Sequence, residues 1–103
     1  MPTVDLNGVK VSFDGVGYLE DPKNWMKEAS EYIAGEDGVS LTEDHWKVIK
    51  AAREYFDRFG CVEMPHMVCK DAGLEKQCIT RLFNGSITEY EKIAGLFETW
   101  ATP

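Results

Sequence analysis

Apolar and polar residues alternate between Val4 and Phe13, and Asn7-Gly8 interrupts the alternation between Leu6 and Val9. A period of two marks a strand with one covered face. Asn and Gly both tolerate positive φ, so the pair predicts a two-residue type I′ turn and therefore a β-hairpin. On this reading Val9, Val11 and Phe13 share one face. Residues 14–19 are Gly-rich and read as a connector. The period then changes to that of a helix. Trp25, Ala29, Tyr32 and Ile33 recur at helical spacing, with Asp21 as cap, Pro22 at the first helical position and Gly35 as stop.

A second helix has the clearest punctuation. Thr42 caps it, Glu43 and Asp44 complement its positive end, and Leu41 is placed to staple against Trp46. Trp46, Ile49, Ala52, Tyr55, Phe56 and Phe59 form a wide apolar stripe, and Gly60 supplies the left-handed stop. Pro65 opens a third helix to about Ala72. Gly73 breaks it, and a fourth runs from about Leu74 to Phe83, ended by Asn84-Gly85. Ser86 and Glu89 form a capping-box pair for a fifth, from Thr88 to about Phe97. The expectation is one domain over residues 1–103: hairpin and connector (1–19), helical body (20–97) and tail (98–103). Its class is mainly α with a small N-terminal β-hairpin, a compact helical bundle and a C-terminal arm.

Composition supports a folded chain. Of 103 residues 44% are hydrophobic, enough for one core. The net charge is −7, which disfavours general nucleic-acid or anionic-membrane binding. Residues 1–44 hold three lysines against ten acids, whereas residues 45–83 hold seven Lys and Arg against five. Any polyanion therefore has to meet the middle of the chain. No apolar run approaches the ~20 residues of a membrane span, and residues 1–10 lack a signal-peptide layout. The expected compartment is the cytoplasm. In a reducing compartment Cys61, Cys69 and Cys78 read most simply as free thiols.

Candidate chemistry is sparse. There is no Ser-His-Asp pattern, phosphate loop or dinucleotide fingerprint, so no cofactor is implied. Glu89 and Glu91 lie two apart and face different sides of a helix. His66 and Cys69 are three apart, but no zinc-type spacing accompanies them, and no metal is expected. Residues 65–86 look like a helix-turn-helix about Gly73, with Val68 and Ala72 packing on Ile79 and Leu82. Residues 79–86 resemble the recognition helix of lac-repressor-type regulators. Glu75, Lys76, Gln77, Thr80 and Arg81 would then face DNA. A helical hairpin packing the core needs the same residues, and the net charge of +2 over residues 45–83 would neutralise few phosphates.

The order of elements resembles the DsrC/TusE family of sulfur-relay proteins. The resemblance rests on Leu6-Asn7-Gly8, Phe13-Asp14, Gly17-Tyr18-Leu19, Asp21-Pro22 and Trp25. It is most specific over Leu41-Thr42-Glu43-Asp44-His45-Trp46-Lys47-Val48-Ile49. It resumes at Arg53, Tyr55-Phe56, Pro65, Leu82-Phe83 and Lys92-Ile93-Ala94-Gly95-Leu96. The resemblance implies protein partners: sulfite-reductase-like or sulfurtransferase components, or a cysteine-bearing homologue. It also implies an arm whose penultimate cysteine takes up sulfur. Partners of sulfite reductase carry a second cysteine just before the Lys/Arg-Ile-Ala-Gly motif. Here Glu91 and Thr102 stand at those two positions.

Sulfur transfer needs a regenerable thiolate, which neither carboxylate nor threonine hydroxyl supplies. The resemblance therefore implies the scaffold without the arm chemistry. The expectation is a non-catalytic or regulatory homologue acting through protein binding, with Phe97 and Trp100 as a candidate binding arm. Two alternatives stand beside it: a DNA-binding regulator, and a sulfur carrier that uses Cys61, Cys69 or Cys78.

Overall fold

A computed structural model describes residues 3–15 and 17–96. Strands β1 (Thr3–Leu6) and β2 (Val9–Ser12) form the antiparallel hairpin, with Val4 opposite Val11 and Leu6 opposite Val9. Asn7 and Gly8 both have positive φ (52° and 85°), as the turn requires. The Gly8 N–H donates to Asp5 Oδ1, and Asn7 Nδ2 donates to Glu28, which ties the turn to the first helix. Val11 and Phe13 are buried but Val9 is 50% exposed. The expected three-residue face thus ends one residue early, because Val9 sits at the turn.

The first helix differs from its expected bounds. Asp21 Oδ1 accepts from the Lys23 N–H, which closes a short 3-10 turn over Pro22–Asn24. Met26 is then extended, and α1 runs over Lys27–Asp37. Gly35 lies inside it. The stop is Gly38, at φ 73°, reinforced by the Val39 N–H donating to Ala34 O.

Helix α2 (Glu43–Phe59) matches its expected bounds, with Thr42 before it and left-handed Gly60 after it. His45 takes the place of the usual Glu or Gln at the third position. Its Nδ1 accepts from the Thr42 N–H at 3.1 Å, and its Nε2 donates to Leu82 O at 2.7 Å. Those partners select the neutral Nε2–H tautomer.

Helices α3 (Pro65–Asp71), α4 (Cys78–Leu82) and α5 (Ile87–Ala94) complete the body. Helix α4 is half its expected length. Left-handed Gly73 turns the chain, the Leu74 N–H closes back on Cys69 O, and residues 75–77 are spent in a turn. Ser86 accepts from the Glu89 N–H, as its capping role requires. Helix α5 ends at left-handed Gly95, and the end expected at Phe97 lies outside the described residues. Helix α1 packs on α5, and α2 packs on α3, α4 and α5. Val48, Ile49, Phe83, Tyr90 and Ile93 are fully covered at the centre. No described helix is long and apolar enough to cross a membrane.

The cysteines correct an expectation. Cys69 on α3 and Cys78 on α4 form a buried disulfide; they are not free thiols. The Gly73 turn folds the two helices together and brings their Cα atoms to 5.7 Å. Only Cys61 is a free thiol, and it is exposed. Alkylation of the denatured, unreduced protein is therefore expected to label Cys61 alone, and reduction should release two more thiols. Closing a loop of this size predicts a loss of about 2.5 kcal/mol of stability on reduction, measurable by urea unfolding.

Candidate functional site

Residues scattered through the sequence meet at the C-terminal end of α5. Arg53, in the middle of α2, is buried. Its guanidinium lies 5.0 Å from the Trp25 ring and 5.2 Å from the Phe56 ring. It donates to Gly95 O at 3.0 Å and Ala94 O at 3.5 Å, and Asp57 lies at 3.5 Å. Trp25 Nε1 donates to Ser30 Oγ, which in turn donates to Ile93 O at 2.5 Å. Three successive carbonyls at the helix end are thus taken by side chains from α1 and α2. Those carbonyls would otherwise be orphaned, and they carry the negative end of the helix dipole, which suits a cation. Burial lowers the Arg53 pKa and Asp57 opposes that shift.

Gly95 is required here twice. It is left-handed at φ 74°, and a methyl group on it would overlap the Trp25 ring. The Leu96 N–H closes on Glu91 O and Leu96 is buried, so the described chain ends at a fixed point on the body. Glu91 is only 1% exposed. Its neighbour Lys92 passes over Gly17 and pairs with Asp37 at 2.9 Å. Beside this pair is a cavity of about 300 Å³, lined among others by Phe13, Tyr32 and Asp37.

Two acidic pairs flank the core. Burial, then hydrogen bonding and repulsion from Asp37, push Glu89 up to about 7, with Lys92 opposing. Asp37 is correspondingly lowered, first by the hydrogen bond it accepts from Glu89 and then by Lys92. Glu63 is likewise raised to about 7 by burial and by Asp71. Tyr55 and Cys61 stand close to that second pair.

The expected DNA-facing set is exposed: Glu75, Lys76, Gln77, Thr80 and Arg81 all face outward. Arg81, however, is held by Glu75 and by Asp44 at 3.4 Å. The helix beneath it has five residues, too short for the expected recognition helix. His66 and Cys69 do not make a metal site, because Cys69 is in the disulfide and no metal-binding cluster occurs among the described residues. Phe97, Trp100 and Thr102 lie outside the described residues. The sequence reading missed the arm root itself. Its only signal was that Trp25, Arg53 and residues 92–96 all carried the family resemblance.

Comparison with known proteins places this arrangement. Residues 5–99 match the family described as DsrC like protein. The chain belongs to the DsrC-like family. It is 30% identical to sulfurtransferase TusE of Yersinia pseudotuberculosis, over 90% of this chain and 94% of that one. It is 32% identical to the Salmonella typhimurium protein of the same name, over 88% and 91%. Among solved structures it is similar to the oxidized gamma-subunit of dissimilatory sulfite reductase from Archaeoglobus fulgidus (TM-score 0.76, 30% identity, 94% and 96% covered). It is also similar to Allochromatium vinosum DsrC (TM-score 0.76, 25% identity, 92% of both chains). The mainly helical body with an N-terminal hairpin is this DsrC-like fold.

Two outcomes follow. Arg53→Lys keeps a charge but loses the planar fork and its stacking. It should cost about 2–4 kcal/mol and speed amide exchange at Leu96. The raised carboxyls set a pH dependence. Between about pH 4.5 and 7 the folded chain holds more protons than the unfolded one, so stability falls as pH rises through that window. The thermal midpoint should be higher at about pH 5.5 than at about pH 8, and Glu63→Gln with Glu89→Gln should flatten the difference.

Proposed function

We propose that this DsrC-like chain acts in sulfur metabolism as a non-carrier. It binds protein components of a sulfur relay and leaves the sulfur-bearing thiol to its partner. The observation behind this is Glu91. It is a buried carboxyl group at the position where the family resemblance places the upstream cysteine of sulfite-reductase partners. Residues 79–103 contain no cysteine at all. A carboxylate forms no persulfide, and a threonine hydroxyl has no redox chemistry.

The arm root supports the same reading. Arg53, Trp25 and Gly95 still seat the end of α5, so the parts that position the arm are present without a thiol beyond them. Related chains carry the name sulfurtransferase TusE or are sulfite reductase gamma-subunits, and the partner proposed for this chain belongs to one of those two settings. It is either a sulfite-reductase-like or sulfurtransferase component, or a cysteine-bearing homologue with which this chain competes.

One feature favours a second reading. Cys61 is free and exposed, so it is the position at which sulfur would be accepted if the chain were a carrier. Incubation with a persulfidated sulfurtransferase, followed by intact-mass measurement, separates the two. The non-carrier reading expects no added sulfur. A stable added sulfur that disappears in Cys61→Ser would replace it with the carrier reading.

A further inference from the structure

The α3–α4 face carries cations that the fold does not use. Arg81 is occupied by Glu75 and Asp44. His66 and Lys70 on α3, and Lys76 in the turn before α4, are exposed, and none joins an ion pair among the described residues. They border two adjoining cavities of about 340 and 230 Å³, which share His66 and Lys76 as a common wall. No carboxylate lines either cavity. The apolar surface comes from Met67 and Leu74 on one side and from Ile87 on the other. Met67 and Ile87 are 37% and 43% exposed, which leaves apolar surface open beside the lysines. The walls are also held in place: the Cys69–Cys78 disulfide joins α3 to α4 behind the groove. A preformed groove saves a partner the cost of ordering it.

Charge selects the occupant. The chain carries −7 overall, and its first 44 residues hold ten acids against three lysines. A long polyanion would be repelled by most of that surface, and two lysines would neutralise few of its phosphates. Two or three carboxylates around one apolar side chain match both the cations and the apolar floor. We infer that the groove between α3 and α4 is a docking site for a short acidic protein segment that inserts an apolar side chain. The inference rests on the protein-binding reading above, and gives it a surface and a partner chemistry.

The probe is a fluorescein-labelled peptide in which four glutamates flank a Leu-Phe pair, titrated against the full chain to millimolar concentration. Binding is expected, with amide shifts confined to His66, Lys70, Lys76, Gln77 and Ile87. Lys70→Glu with Lys76→Glu should weaken it roughly tenfold or more. Lys47→Glu, outside the groove, should leave it unchanged. The exposed positions allow the amide spectrum elsewhere to report an intact fold. No binding, shifts elsewhere, or equal binding of a peptide with glycines for glutamates would overturn the proposal. So would a short oligonucleotide that competes at lower concentration, which would assign the groove to nucleic acid. A concentration-dependent dimer abolished by Lys76→Glu would assign it to a second copy of this chain. The sulfur-uptake measurement stays separate. Uptake on Cys61 with peptide binding intact removes the non-carrier reading and leaves the groove. Absent peptide binding with no uptake removes the groove and leaves the non-carrier reading.

Discussion

A buried arginine organises this structure. Removing a guanidinium from water is costly, and the cost is offset only where its donors and its faces are all engaged. Arg53 is engaged on both counts: Nη1 donates to backbone carbonyls at the α5 end, Nη2 donates to Asp57, and aromatic rings lie against its faces. Trp25 follows the 3-10 turn, Phe56 and Arg53 belong to α2, and the carbonyls belong to the end of α5. Satisfying one cation therefore fixes three parts of the chain relative to one another. Ser30 extends the same logic to α1 through its bonds to Trp25 and Ile93. A small change at any of these positions leaves a buried polar group without its partner, which makes the cluster intolerant as a unit.

What could be read from the sequence followed from how local the causes are. Helix α2 was legible to the residue, because Thr42 and Gly60 act on backbone groups within a few positions of themselves. The hairpin was legible because Asn7-Gly8 prescribes its own turn. Helix α1 was misread at both ends. Asp21 does cap, but it caps a 3-10 turn, and Met26 restarts the chain before the helix. Gly35 looked like a stop because glycine is a poor helix former, yet the Gly38 and Val39 closure outweighs that preference. The disulfide was hidden for another reason. Cys69 and Cys78 lie nine residues apart in an odd set of three, and only the fold of the Gly73 turn says which two meet. The arm root was least legible of all, since Trp25, Ser30, Arg53 and Ile93 come from three distant stretches and each has an ordinary local explanation.

Charge is distributed with the same economy. The two carboxyl pairs, Asp37 with Glu89 and Glu63 with Asp71, each put acids side by side where burial discourages two charges. Sharing a proton is the cheaper solution, and it makes the fold favour mildly acidic conditions. Lys92 relieves the first pair, and its ion pair with Asp37 also fastens α5 to the end of α1. Arg81 ties Asp44, at the start of α2, to Glu75. The exposed cations of the α3–α4 groove have no such assignment, which sets them apart from the ion pairs that hold the fold.

Positioning and chemistry make separate demands on this fold. Positioning depends on Arg53, Trp25, Ser30 and Gly95, whose work is to hold backbone carbonyls and to leave room for a ring. None of those tasks requires sulfur. Sulfur chemistry depends on a thiolate that another sulfur can reach. Glu91 meets neither condition, since it is a carboxyl group and it is buried. A buried acid at this place coexists with the carbonyl contacts of Ser30 and Arg53. On the binding role proposed above, the contacts made by Trp25, Ser30, Arg53 and Gly95 are sufficient by themselves, since each of them acts on shape.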